Sequence, residues 1–184
     1  MKNLLIIHGY EAHNKKHWFP YLENELKEIN VKTLSLPNAA SPSLKEWLDC
    51  IDAEVKKVGI NKNLFFVAHS LGCITLMQYL NSLDSGFNIG GFVLISGFYE
   101  KLENLSLLDE FVSIKLDEQK IIDSSLNRYV FAARDDYIVE SNKSQNLAKL
   151  LKATYIEFDK GGHFMQDDGF KEFSALKILL KQII

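Results

Sequence analysis

The sequence predicts an α/β protein built on one compact, mostly parallel sheet of about six strands, with helices on both faces. Short apolar, β-rich runs alternate with amphipathic stretches of helical spacing along the chain. Two of those runs, Leu64-Phe65-Phe66-Val67-Ala68 and Phe92-Val93-Leu94-Ile95, are continuously apolar, as strands covered on both faces are. The 184 residues are 47% hydrophobic and 24% charged, which suits one globular domain over residues 1–184. A chain of that size buries about two-thirds of its unfolded surface and needs no metal or disulfide to fold.

In order, the predicted strands are Leu4 to Ile7, Val31 to Leu34, Leu64 to Ala68, Gly91 to Ile95, Arg128 to Ala132 and Thr154 to Phe158. The first helix, Trp18 to Ile29, sets Trp18, Leu22, Leu26 and Ile29 at steps of three or four residues. The second, Leu44 to Val58, aligns Leu44, Trp47, Leu48, Ile51, Val55 and Val58. Leu71 to Leu83, Ser141 to Leu151 and Phe170 to Ile183 complete the helical set. Residues Gly97 to Asn127 break the rhythm and read as one or two short helices covering the sheet end, too small for a cap domain. Trp18 and Trp47 fall on apolar helix faces and read as core.

A formal charge of −3, without a basic patch, points away from nucleic acid and membrane surfaces. The first apolar run, Leu4 to Ile7, is far too short to span a bilayer. Cys50 and Cys73 stand apart, each in a predicted helix, and read as reduced, packed thiols of a cytoplasmic protein. No dinucleotide fingerprint, phosphate loop or clustered metal-ligand pattern is present, so no cofactor and no metal are expected.

The chemistry concentrates where strands end. Leu64 to Ala68 runs into Ala68-His69-Ser70-Leu71-Gly72 and then an apolar helix. This is the form of a nucleophile elbow, usually Gly-x-Ser-x-Gly, with alanine for the first glycine. Small residues two before and two after the serine let strand and helix pass closely, and the helix start aims the Leu71 N–H at a developing oxyanion. A serine before a helix is otherwise an ordinary N-cap.

A serine nucleophile needs a base later in the chain, after an acid. Gly161-Gly162-His163 follows the last predicted strand, in a loop flexible enough to return the imidazole to the sheet edge. His8, His13, His17 and His69 are weaker bases. The acid should follow the preceding strand, where Asp135 and Asp136 both stand. Asp136 is preferred because Asp136-x-x-Val139 has the usual form of such a loop, and Asp135 is held in reserve. The first strand ends in His8-Gly9-Tyr10, which offers the Tyr10 N–H as the second oxyanion donor. Phe98, Tyr99, Phe164 and Met165 could line a substrate pocket or seal the core. Asp167 and Asp168 can simply cap the last helix.

Taken together, Ile7-His8-Gly9-Tyr10, His17-Trp18, Leu36-Pro37-Asn38, Trp47-Leu48, Val67 to Cys73, Ser96-Gly97-Phe98, Asp135-Asp136 and Gly161 to Phe164 resemble the YdeN and retinoblastoma-binding protein nine family of small serine hydrolases. The resemblance runs from about Leu4 to Phe170. It implies a compact α/β-hydrolase fold with no large cap domain and a triad falling on Ser70, Asp136 and His163. Glu140 follows Val139 where many family members carry proline, which keeps Asp135 in play as the acid. The expectation is a hydrolase of small acyl substrates, esters or thioesters, with amides open to the same chemistry. A protein-binding module on the same scaffold is the main alternative, and a lyase or cofactor-free peroxidase is a third.

Overall fold

The computed structural model describes every residue except Asn104, which lies inside the predicted cover segment. Six strands form one sheet: β1 (Asn3–Ile7), β2 (Asn30–Thr33), β3 (Leu64–His69), β4 (Gly91–Ile95), β5 (Arg128–Ala133) and β6 (Thr154–Phe158). Their order is β2-β1-β3-β4-β5-β6, and every neighbouring pair is parallel. The helices are α1 (Phe19–Glu25), α2 (Leu44–Val58), α3 (Leu71–Ser82), α4 (Glu118–Asp123), α5 (Ser141–Leu150) and α6 (Ser174–Ile183). No helix among the described residues is long and apolar enough to cross a membrane.

The pleat sorts each apolar strand onto two cores. Leu5, Ile7, Phe66, Ala68, Phe92 and Leu94 face α2, α3 and α5, whose Trp47, Ile51, Leu76, Leu80 and Leu147 complete that side. Leu4, Ile6, Phe65, Val67, Val93 and Ile95 face the opposite core, closed by Trp18, Phe19 and Leu22 near α1 and by Leu176, Leu179 and Leu180 on α6. Double burial is why these strands carry no alternating polar face. Trp18 and Trp47 are fully buried, as expected, and their indole N–H groups donate to the carbonyls of Phe164 and Pro37.

Two helices are shorter than their apolar periodicity. The first begins after Trp18, with Pro20 in its opening turn, and ends at Glu25. Leu26 still buries its side chain, but the chain must already turn there to lay β2 beside β1. The last begins at Ser174, not Phe170. Gly169, at φ 93°, turns the chain, and Phe170 and Phe173 pack on Phe164 at centroid distances of 4.9 and 5.2 Å instead of opening the helix. Between β4 and β5 the cover segment holds a short 3-10 helix, Ser106–Val112, followed by α4.

The order places a switch point between β1 and β3, since the chain leaves β1 toward β2 and returns to the other side as β3. Open parallel sheets bind ligands outside the carboxyl ends of strands at such a point. Gly72 makes the approach of α3 to β1 possible there. A Cβ on residue 72 would lie 2.5 Å from the Ile7 carbonyl oxygen and 2.6 Å from that of His8. Alanine would gain about 1 kcal/mol of helix propensity, less than the overpacking cost of about 1–3 kcal/mol or more against fixed backbone. Gly72→Ala is therefore expected to lower the urea midpoint, and an unchanged midpoint would show that α3 can move off β1 freely.

Candidate active site

Ser70 sits between β3 and α3 with φ 53° and ψ −123°. A non-glycine residue reaches that region at a cost of about 1–2 kcal/mol, which the packed strand and helix on either side impose. Its side chain makes no capping bond to the helix, so the plain N-cap reading of this serine does not hold. Gly9 lies against it: a Cβ there would approach the Ser70 Cβ to 2.9 Å. Among the described residues, neither the Tyr10 nor the Leu71 backbone N–H donates to a protein acceptor, which leaves both free beside the serine.

His8 fixes the loop that carries Tyr10. Its Nε2 accepts the Leu36 N–H at 3.2 Å, so Nδ1 holds the proton and donates to the Gly9 carbonyl at 2.9 Å. In a trans peptide the carbonyl and the next N–H point opposite ways, so pinning Gly9 oxygen orients the Tyr10 N–H.

The loop after β6 brings His163 back to the same edge, 3% exposed. Its Nδ1 lies 2.9 and 3.0 Å from the two carboxylate oxygens of Asp136. With Nδ1–H donating, Nε2 keeps its lone pair. Asp136 is buried and well supplied with donors: Ile138 and Val139 N–H reach Oδ1 at 2.9 Å, and Ser96 Oγ–H reaches Oδ2 at 2.7 Å. The carboxylate beside the imidazole is thus Asp136. Asp135 serves the loop instead, its Oδ1 accepting the Gly161 and Gly162 N–H groups at 2.8 and 2.9 Å. The Gly162 and Gly161 donors hold the Asp135 carboxyl below its usual range.

Other residues hold this loop that the sequence did not disclose. Asp168 does not cap α6; its Oδ2 accepts the N–H groups of both His163 and Met165 at 3.0 Å. Gly162, at φ 52°, must be glycine here, since a Cβ would meet the Asp168 carboxyl carbon at 2.5 Å. His69 Nε2 donates to the His163 carbonyl at 2.8 Å, and His17 Nδ1 accepts the Gln166 N–H at 3.1 Å. Burial first, and neighbouring cations or rings second, lower the proton affinity of His69 strongly and bring His17 from 6.5 to about 4. Both rings are neutral at physiological pH. Burial also pushes the Cys73 thiol up, leaving it inert beside the elbow.

A cleft of about 220 Å³ opens over Ser70 and His163. Leu102, Leu105 and Leu108 of the cover segment, with Ile138 and Met165, give it an apolar wall. Met165 therefore lines the site, whereas Phe98 and Phe164 seal the cores and Tyr99 faces a different hollow. Ser70 Oγ makes no hydrogen bond to His163 among the described residues, a contact that is often long before substrate binds. Larger hollows of about 420 and 570 Å³ lie away from this edge, and no histidine lines either one.

A parallel sheet of this order, with its elbow after β3 and its histidine loop after β6, defines the α/β-hydrolase fold class. The model of the serine hydrolase family matches residues 4–182, so the chain belongs to that family. It is 40% identical over 171 residues to the protein YdeN of Bacillus subtilis (strain 168), covering 92% of this chain and 89% of the relative. The crystal structure of that ydeN gene product superposes with a TM-score of 0.95 at 37% identity, covering 100% of this chain and 98% of the other. The fold extends to more distant proteins. A YdeN-like protein from Pectobacterium atrosepticum gives a TM-score of 0.72 at 16% identity, covering 100% of this chain and 93% of that one. Est1E from Butyrivibrio proteoclasticus gives 0.72 at 13% identity, covering 99% and 88%.

Proposed function

We propose that this chain cleaves a small ester or thioester, and by the same chemistry an amide, through a Ser70–His163–Asp136 triad and an acyl-enzyme. One observation carries the reading. A buried imidazole, clasped through Nδ1 by a fully supplied carboxylate, shares a cleft with a serine held at φ 53° on a strand–helix turn. His163 Nε2 takes the Ser70 proton as Oγ attacks the acyl carbonyl. The Tyr10 and Leu71 N–H groups receive the oxyanion, an arrangement that needs no reorganisation at the moment of reaction. His163 then protonates the leaving group and activates the water that frees the acyl group. Asp136 holds the ring in its productive tautomer and stabilises the imidazolium. The apolar leucine wall suits a small acyl or alcohol group. Two free cysteines suit a reducing compartment such as the cytoplasm.

A fluorophosphonate probe tests the reading directly. The folded wild type is expected to label stoichiometrically, with labelling lost in Ser70→Ala and in His163→Ala. A well-folded wild type that stays unlabelled would favour a scaffold that binds without catalysing.

A further inference from the structure

His17 is a cleft residue to which the triad chemistry gives no task. It lies at φ 54°, a left-handed conformation that fixes its backbone, and its ring packs edge-on against Phe19 and His69 at 5.5 Å each. Because Nδ1 accepts the Gln166 N–H, the proton of the neutral ring sits on Nε2. Among the described residues, Nε2 has no hydrogen-bond partner, and it is not sealed from solvent, since the one buried side-chain atom left without a partner is His69 Nδ1. His17 lines the same cleft as Ser70 and His163, and the side chains of Leu102, Leu105, Leu108 and Ile138 that share it offer no acceptor. The site thus holds an uncharged ring donor that makes no hydrogen bond to the protein among the described residues and faces whatever fills the cleft.

We propose that His17 Nε2–H is the specificity-determining donor of this cleft, selecting substrates with an uncharged oxygen acceptor (ether, hydroxyl or carbonyl) a few atoms from the scissile carbonyl. The inference rests on the hydrolase reading above and narrows it to a substrate class. When substrate expels water from a partly buried site, a donor left unpaired costs free energy, whereas a substrate oxygen in its path satisfies it. A hydrocarbon of the same shape fills the space and strands the donor. Lys16 and Glu11, also at this cleft, bring opposite charges and confer no net preference for an ion.

Isosteric pairs that exchange one methylene for oxygen test this. One pair is 4-nitrophenyl methoxyacetate against 4-nitrophenyl butyrate, which probes the acyl side. The other is 2-methoxyethyl acetate against butyl acetate, which probes the alcohol side. Each kcat/KM ratio is divided by the same ratio for hydroxide, removing intrinsic reactivity. The wild type is expected to prefer the ether by about tenfold in at least one pair, the scale of one neutral hydrogen bond. His17→Asn keeps an acceptor near the Nδ1 position and tolerates the left-handed backbone, but has no donor at the reach of Nε2. Its preference is expected to fall to about one. His17→Gln, with an amide N–H at that reach, is expected to restore it. A wild type that cleaves all four esters at hydroxide-like ratios, or a His17→Asn variant that keeps the preference, overturns the role of His17 while the hydrolase reading stands. No hydrolysis of any of the four, with no probe labelling, overturns the hydrolase reading and this inference with it.

Discussion

Ser70→Ala is expected to lower kcat on a short-chain ester by roughly four to six orders of magnitude while leaving the protein folded. The loss is large because the base and the acid act only through an oxygen that the serine supplies, so only the oxyanion donors, which bind the substrate carbonyl, keep a task. The fold survives because Ser70 Oγ caps no backbone group of α3. The residual rate should come from water attacking a carbonyl still held by the Tyr10 and Leu71 N–H groups. Ser70→Gly offers an internal check. It should be equally inactive, yet unfold at a higher urea concentration than Ser70→Ala, because glycine enters the left-handed region without steric cost. Steady-state turnover and urea titration of the three proteins read both effects. A Ser70→Ala variant retaining more than about one-hundredth of the wild-type kcat would remove this serine from the mechanism.

Asp136→Asn is expected to lower kcat by about 10⁴-fold, by reversing the imidazole tautomer. The Ile138 and Val139 N–H groups both donate to Oδ1, so the amide oxygen of asparagine must take that position. Its NH₂ then replaces Oδ2, turning a donor toward His163 Nδ1 and toward Ser96, whose hydroxyl can rotate to accept. Nδ1 becomes an acceptor, the ring proton moves to Nε2, and His163 loses the lone pair that would take the Ser70 proton. Asp135→Asn is the matched control. Among the described residues only its Oδ1 is used, by two backbone N–H groups, and an amide oxygen can accept both. Its kcat should stay within about tenfold of wild type, with the cost falling on the stability of the loop. Equal losses in the two variants would overturn the assignment of Asp136 as the acid.

The contrast between these neighbours marks the limit of what the chain reveals before it folds. Ser70 and His163 are legible because their roles rest on local features: an all-apolar strand, small residues at fixed offsets, and paired glycines after the last strand. The strands themselves are legible because burial on both faces leaves continuous apolar runs. Ser96 and His17 are not legible, since each acts on a partner far along the chain, and Asp168 is not, since its near partners are backbone N–H groups that only the folded loop turns toward it. His17 meets Gln166 across 149 residues, and Ser96 meets Asp136 across 40. The apolar periodicity sets the start of α6 too early for a related reason. Phe170 and Phe173 keep a helical spacing in sequence, but their rings belong to the aromatic packing around Phe164.

Among the described residues, six of the seven non-glycine residues with left-handed backbone, Glu11, His17, Asn38, Ser70, Ser96 and Phe164, lie in turns that follow strand carboxyl ends, and Lys152 alone precedes a strand. At about 1 kcal/mol each, their combined strain approaches the whole net stability of a small domain. The molecule is therefore mechanically lopsided, with a relaxed amino-terminal edge anchoring a tense carboxyl-terminal one. Heating should loosen the tense edge first, so that activity fades while the far-UV signal of the sheet persists. Substitutions that slacken those turns would make a hardier protein and a poorer catalyst.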